Sequence, residues 1–147
     1  MRRFFAILTT AALAATLTTS VVMASNHVTT LSTTMTGAEE VGGGDKNGKG
    51  FVSLDIFVNG TICWEGKVQA IERVTAAHIH NAPAGVNGGV FVDLYPFNAD
   101  VTGNKAEHCV VTTAENAAAI VANPSGYYVN VHTATYPGGA IRGQLGD

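Results

Sequence analysis

Beyond residue 25, apolar and polar positions alternate along most of the chain with a period of two, the pattern of strands that bury one face. Val52, Leu54, Ile56 and Val58 share one parity while Ser53, Asp55 and Phe57 take the other, and the alternation resumes after Asn59-Gly60 at Ile62, Trp64 and Val68. An Asn-Gly pair between two such runs predicts a tight hairpin. Val90, Val92 and Leu94 predict a further strand, with Phe91, Asp93 and Tyr95 on its other face. Residues 127–133 and 140–145 predict the last two strands, joined through Tyr136-Pro137-Gly138-Gly139, whose Pro-Gly dipeptide belongs in a turn.

The period changes once. Thr112 and Glu115 stand at capping-box spacing before an alanine-rich run that ends at Pro124 and Gly126, so residues 112–123 predict one short helix. The glycine-rich stretch 42–48 reads as a mobile loop. About eight short strands and one helix predict an all-β fold, an antiparallel β-sandwich of Greek-key type.

Composition narrows the picture. The chain has 147 residues, of which 13% are charged. That length suits one domain, and so few charges leave no basic surface broad enough to track a nucleic-acid backbone. Arg2 and Arg3 head an uncharged stretch from Phe4 to Val22, followed by the small-residue pattern Val22-Met23-Ala24. This predicts a secretory signal peptide over 1–24, a mature domain over 25–147, a periplasmic or secreted location, and no membrane association after cleavage. Of the eight basic residues two are lost with it, leaving six against eleven acidic ones and a net charge near −5. In an oxidising compartment the two cysteines, Cys63 and Cys109, are expected to form a disulfide.

The candidate chemistry lies in histidines. In Ala76-Ala77-His78-Ile79-His80 the two imidazoles leave one face of a strand while Ile79 points into the core. In Tyr128-Val129-Asn130-Val131-His132-Thr133 the valines take the core, which puts Asn130 and His132 on the outer face. Three histidines thereby share one surface. Facing Val131 with Leu145 and Thr133 with Gly143 through a three-residue loop at 137–139 predicts His132 opposite Gln144, with Arg142 its diagonal neighbour. An imidazole set suits copper, with zinc less favoured, and an adjacent guanidinium would draw a small anion to an open position. Exposed histidines with separate hydrogen bonds are the plain alternative. His108, beside Cys109, is expected to be structural or solvent-facing. Cleavage after Ala24 would also create Ser25-Asn26-His27, an N-terminus able to make a square-planar nitrogen site for Cu(II) or Ni(II).

Four segments together resemble the CHRD domain family, named from chordin: residues 74–80, 84–88, 127–133 and 137–145. The resemblance spans residues 31–145 and includes Thr36-Gly37-Ala38-Glu39-Glu40-Val41, like the family's opening strand with its acidic residue at Glu40; Gly42 stands where the family usually has proline. It implies an exported immunoglobulin-like sandwich. The His-X-His strand is also similar to that of copper-zinc superoxide dismutase, which implies one copper at His78, His80 and His132, Arg142 drawing in superoxide, and Asn130 or Gln144 orienting a ligand. Glu40 would either pair with Arg142 or approach the histidines. No counterpart of the bridging histidine or zinc subsite is evident, so such a centre would be copper-only. The readings are a copper-binding protein with superoxide dismutase activity, a copper storage or delivery protein, and a metal-free interaction module.

Overall fold

The computed structural model describes residues 26–94 and 106–146; residues 1–25, which include the expected signal peptide and Ser25, and Tyr95 lie outside them. Eight strands are described: β1 His27–Thr36, β2 Lys49–Phe57, β3 Thr61–Gln69, β4 Val74–Asn81, β5 Gly89–Asp93, β6 Ala106–Val111, β7 Tyr127–Thr133 and β8 Ile141–Gln144. One α-helix, α1 at Ala114–Ala122, precedes β7. The strands form a single antiparallel sheet in the order β5-β4-β7-β8-β1-β2-β3-β6. β1 and β8 meet at one register pair, Thr36 with Arg142, and at this seam the sheet divides into two four-stranded halves. β6 returns beside β3 after the β4–β5 hairpin has been laid in the other half, a Greek-key return. The fold is the expected all-β sandwich.

The apolar parity of each strand builds one core that spans both halves. Val52, Leu54, Ile56 and Ile62 come from one half, and Ile79, Val129, Val131 and Ile141 from the other, all fully buried. Each such side chain contributes roughly 2 kcal/mol by leaving water. Ala117 and Ile120 of α1 join the same core. Cys63 and Cys109 are opposed across β3 and β6 and form the disulfide, tying the edge strand to its neighbour at a Cα separation of 3.9 Å.

Several local expectations are corrected. Val58 does not continue the buried row of β2; it sits 58% exposed in a three-residue turn that closes on Gly60, whose φ of 87° is in the left-handed region. Val90 leaves the core as well. The ladder between β4 and β5 shifts between Ile79 and His80, so Ile79 faces Val92 but His80 faces Val90, and the extra residue, Phe91, reverses the parity. The helix is capped by Thr113, whose hydroxyl accepts from Asn116 N–H; Thr112 is still tied to the β2–β3 turn through its N–H to Gly60 O. The 42–48 loop is stitched down by Gly44 N–H to Gly37 O and Asp45 N–H to Ala140 O.

The final hairpin has a different register from the one expected. Val131 pairs with Ile141, Asn130 with Arg142, and Tyr128 with Gln144. The chain turns earlier than Pro137-Gly138-Gly139, because Thr133 N–H and Gly139 N–H both bond to Tyr136 O. Gln144 therefore faces Tyr128, four residues from its expected partner His132. An even shift leaves every side chain on its expected face, so the grouping of His132, Asn130 and Arg142 survives it.

Candidate metal centre

The face of β4, β7 and β8 turned away from the apolar core is mostly closed to water, with His78 and His132 half-buried at its edge. Asn130, Arg142 and Tyr128 are 1%, 2% and 2% exposed, and Glu40, His80 and Gln144 are also buried. Loops at 40–44, 83–88 and 134–139 contribute the groups that bond to this face. The half-sheet thus has an apolar core on one side and a polar one on the other, and in the polar one every donor requires a partner.

His78 and His80 of β4 and His132 of β7 converge here, with one nitrogen from each ring within 4.8 Å of the others. Strand pairing explains the convergence: Ala76 lies opposite His132 and His78 opposite Asn130, so the three rings occupy adjacent positions on one face. Two backbone carbonyls fix two of the tautomers. His80 Nδ1 is 3.0 Å from Gly88 O, and His132 Nδ1 is 2.9 Å from Pro137 O. A carbonyl only accepts, so each Nδ1 carries the hydrogen and each Nε2 keeps its lone pair. His80 Nε2 is buried without a hydrogen-bond partner, and His132 Nε2 lies 3.0 Å from His78 Nδ1. Asp93, directly opposite His78 on β5, favours the charged form of that ring.

This donor set fits a metal ion. Two nitrogens bound at about 2.0–2.1 Å in tetrahedral geometry lie roughly 3.3 Å apart, close to the observed spacing of His78 and His132. Carbonyls holding the remote ring nitrogens are the usual outer support of metal-bound histidines. All three imidazoles have depressed pKa values, chiefly because burial disfavours the cation. Charge repulsion adds to this, from His80 on His78, from His132 and Arg142 on His80, and from His78 on His132. The lone pairs are therefore available near neutral pH.

Arg142 is not aimed at the histidines. It lies one strand beyond, with its Nη1 donating to Val86 O at 3.0 Å, its Nη2 donating to Asn87 Oδ1, and its Nε 3.4 Å from Glu40 Oε2. Tyr128, on the intervening strand, has the Arg142 Cζ 3.8 Å from its ring centre and the His80 ring stacked at 4.8 Å. The expected anion-guiding role thus meets a guanidinium that is buried and committed to other partners. Glu40 takes the first of its two expected places, pairing with Arg142; burial raises its pKa, against the lowering effects of Arg142 and Asn130. Asn130 donates to Glu40 Oε1, and Gln144 Nε2 faces the carbonyls of Ala82, Ser125 and Tyr127, away from the histidines.

The remaining candidates lie elsewhere. His108 is exposed on β6, opposite Trp64, in the other half of the sheet. His27 Nε2 is turned to Thr30 Oγ1 at 3.2 Å and Asp55 Oδ1 at 3.4 Å, and the Asn26 carbonyl accepts from Val58 N–H. Sequence reasoning missed Gly88, which holds His80 through its carbonyl while its N–H donates to the Tyr128 hydroxyl. A Cβ at Gly88 would collide with the Asn81 carbonyl, so the close approach requires glycine. Pro137 and Asp93 were also missed; only the register of β4, β5 and β7 brings them to the rings.

These features define an all-β sandwich with a three-histidine group able to hold one metal ion, set in a polar second core. The chain belongs to the CHRD domain family, whose model matches residues 31–145. No curated protein and no solved structure gave a match.

Proposed function

We propose that this is an exported copper-binding protein that holds one ion through His78 Nδ1, His80 Nε2 and His132 Nε2. The observation that carries the reading is the buried lone pair of His80 Nε2, directed by the bond from Nδ1 to Gly88 O and lacking any hydrogen-bond partner. A buried polar atom left unpaired is costly unless a ligand meets it. Three neutral nitrogens favour copper over the other divalent first-row metals by the ordinary affinity order. Export is supported by the basic head and uncharged stretch before Ser25 and by the disulfide between Cys63 and Cys109.

Bound copper supplies one-electron cycling. The chain's own part is to fix geometry. Gly88 O and Pro137 O hold two rings in the ligating tautomer, and Tyr128 packs flat against His80. His78 Nδ1 donates to His132 Nε2 in the metal-free protein, so for His78 to ligate through Nδ1 its hydrogen would have to move to Nε2, and Asp93 stands opposite this ring. Holding copper for storage or delivery fits best, because the mature domain is acidic and the charge of Arg142 is opposed by Glu40. Superoxide turnover is the second reading, favoured by the partial exposure of His78 and His132. Titration with copper and zinc of protein spanning residues 25–147 and carrying His27→Ala, which removes the separate N-terminal nitrogen site, tests the reading: copper binding at one equivalent, lost when His78→Ala and His80→Ala are added, is expected. Unchanged affinity in that variant overturns it and leaves the metal-free interaction module. Superoxide decay beyond that of free copper, abolished by His132→Ala, would move the assignment from carrier to enzyme.

A further inference from the structure

We infer that Asn130 makes the open position of this centre selective for a protic ligand, one that donates a hydrogen bond from the atom it presents to the metal, such as water. The inference rests on the metal-binding reading above. Asn130 lies directly opposite His78 and two residues from His132, so it shares their face and is a neighbour of both positions. Opposed side chains in an antiparallel pair have Cβ atoms about 5 Å apart.

The orientation of the amide is decided by its other neighbour. Glu40 faces Asn130 with a carboxylate oxygen, and a carboxylate paired with Arg142 is an acceptor. The Asn130 NH2 group must therefore point at Glu40, which leaves Oδ1 directed away from it. Asn130 is 1% exposed, and its Oδ1 is buried without a hydrogen-bond partner. The arrangement is held on every side. Gly139, at φ 142°, has no room for a Cβ against Asn130 Nδ2 and Glu40 Oε1, and Gly44 packs on Glu40 Cγ. Arg142 is fastened in turn by Val86 O and Asn87. An acceptor fixed in this way on the face that carries the three histidines would meet the hydrogen of a protic ligand on the bound ion. It opposes a ligand that presents only lone pairs, such as azide or a halide.

The test uses copper-loaded protein spanning residues 25–147 and carrying His27→Ala, so that no N-terminal copper contributes, with azide as the probe and the copper electron paramagnetic resonance spectrum as the readout. Copper binding by this protein tests the parent reading alone. Given that binding, Asn130→Leu, nearly the same size without the acceptor, is expected to bind azide about tenfold more tightly than wild type. Glu40→Gln provides a second route that keeps Asn130, because a glutamine at 40 can donate and so lets the amide turn its NH2 toward the ligand. It too is expected to tighten azide binding, with a changed copper spectrum. If azide affinity in the variants that fold matches wild type, Asn130 plays no part in selecting the ligand. That result overturns the inference while leaving the copper site intact.

Discussion

Replacing Arg142 with leucine separates a structural role for the guanidinium from an anion-guiding one. In the folded protein Arg142 is 2% exposed and pairs with Glu40, itself buried. Leucine retains apolar contact with Tyr128 but removes the donors to Val86 O and Asn87, and it leaves the Glu40 carboxylate with Asn130 alone among these partners. Removing one partner of a buried ion pair costs about 3–5 kcal/mol, whereas replacing both by apolar groups is often close to neutral. Arg142→Leu is therefore expected to lose at least about 3 kcal/mol at pH 7, and Arg142→Leu with Glu40→Leu to regain much of it, a coupling of about 2–3 kcal/mol.

The pH dependence follows from the direction of the Glu40 shift. Its folded pKa is raised, by burial above all, so its contribution is most favourable below the ordinary value of 4.5 and is lost as pH rises through the folded value. Without Arg142 the folded pKa rises further, and the deficit of the variant relative to wild type shrinks on going from pH 7 to pH 5. Urea unfolding of metal-free, disulfide-intact protein measures both effects. At a slope of about 1.5 kcal/mol per molar, a loss of 3 kcal/mol moves the midpoint by about 2 M. A loss below about 1 kcal/mol that is the same at both pH values would refute the argument. It would show the guanidinium free for another task.

Three further outcomes are expected. Cys63→Ser with Cys109→Ser removes a crosslink spanning a sequence separation of 46 and lowers stability by up to about 4 kcal/mol, read by thermal unfolding with and without reductant. Gly139→Ala forces a Cβ onto Asn130 Nδ2 and Glu40 Oε1 at a left-handed position and is expected to cost about 2 kcal/mol, with a matching loss in urea midpoint. The depressed pKa values of His78, His80 and His132 mean that the folded metal-free protein takes up protons less readily than the unfolded chain. Stability is then full above pH 6.5 and falls as pH drops through that value toward the folded ones, and His80→Asn flattens this slope in urea unfolding between pH 7 and pH 5.

The sandwich and the shared face of the three histidines were legible because both follow from a period of two. Ile79, Val129 and Val131 leave His78, His80 and His132 no other side, and the parity survived even the four-residue slip in the last hairpin. What parity conceals is whether the outer face is wet. Asn130 and Arg142 read as outer residues, yet loops bury them, because a loop's path depends on long-range backbone bonds such as Asp45 N–H to Ala140 O. The Glu40–Arg142 pair was left undecided for the same reason, since 102 positions of chain separate its members and the β1–β8 seam and the Asp45–Ala140 backbone bond bring them together. Val90 was misplaced because one inserted residue, Phe91, reverses a strand's parity and alternation carries no mark of it.

The central claim is that three imidazoles grip a single ion. Anomalous diffraction at the copper edge from crystals of copper-loaded protein tests it most directly. The account predicts one peak about 2.0–2.1 Å from His78 Nδ1, His80 Nε2 and His132 Nε2. A peak held by only two of these rings, or one lying instead at His27 or His108, would contradict it.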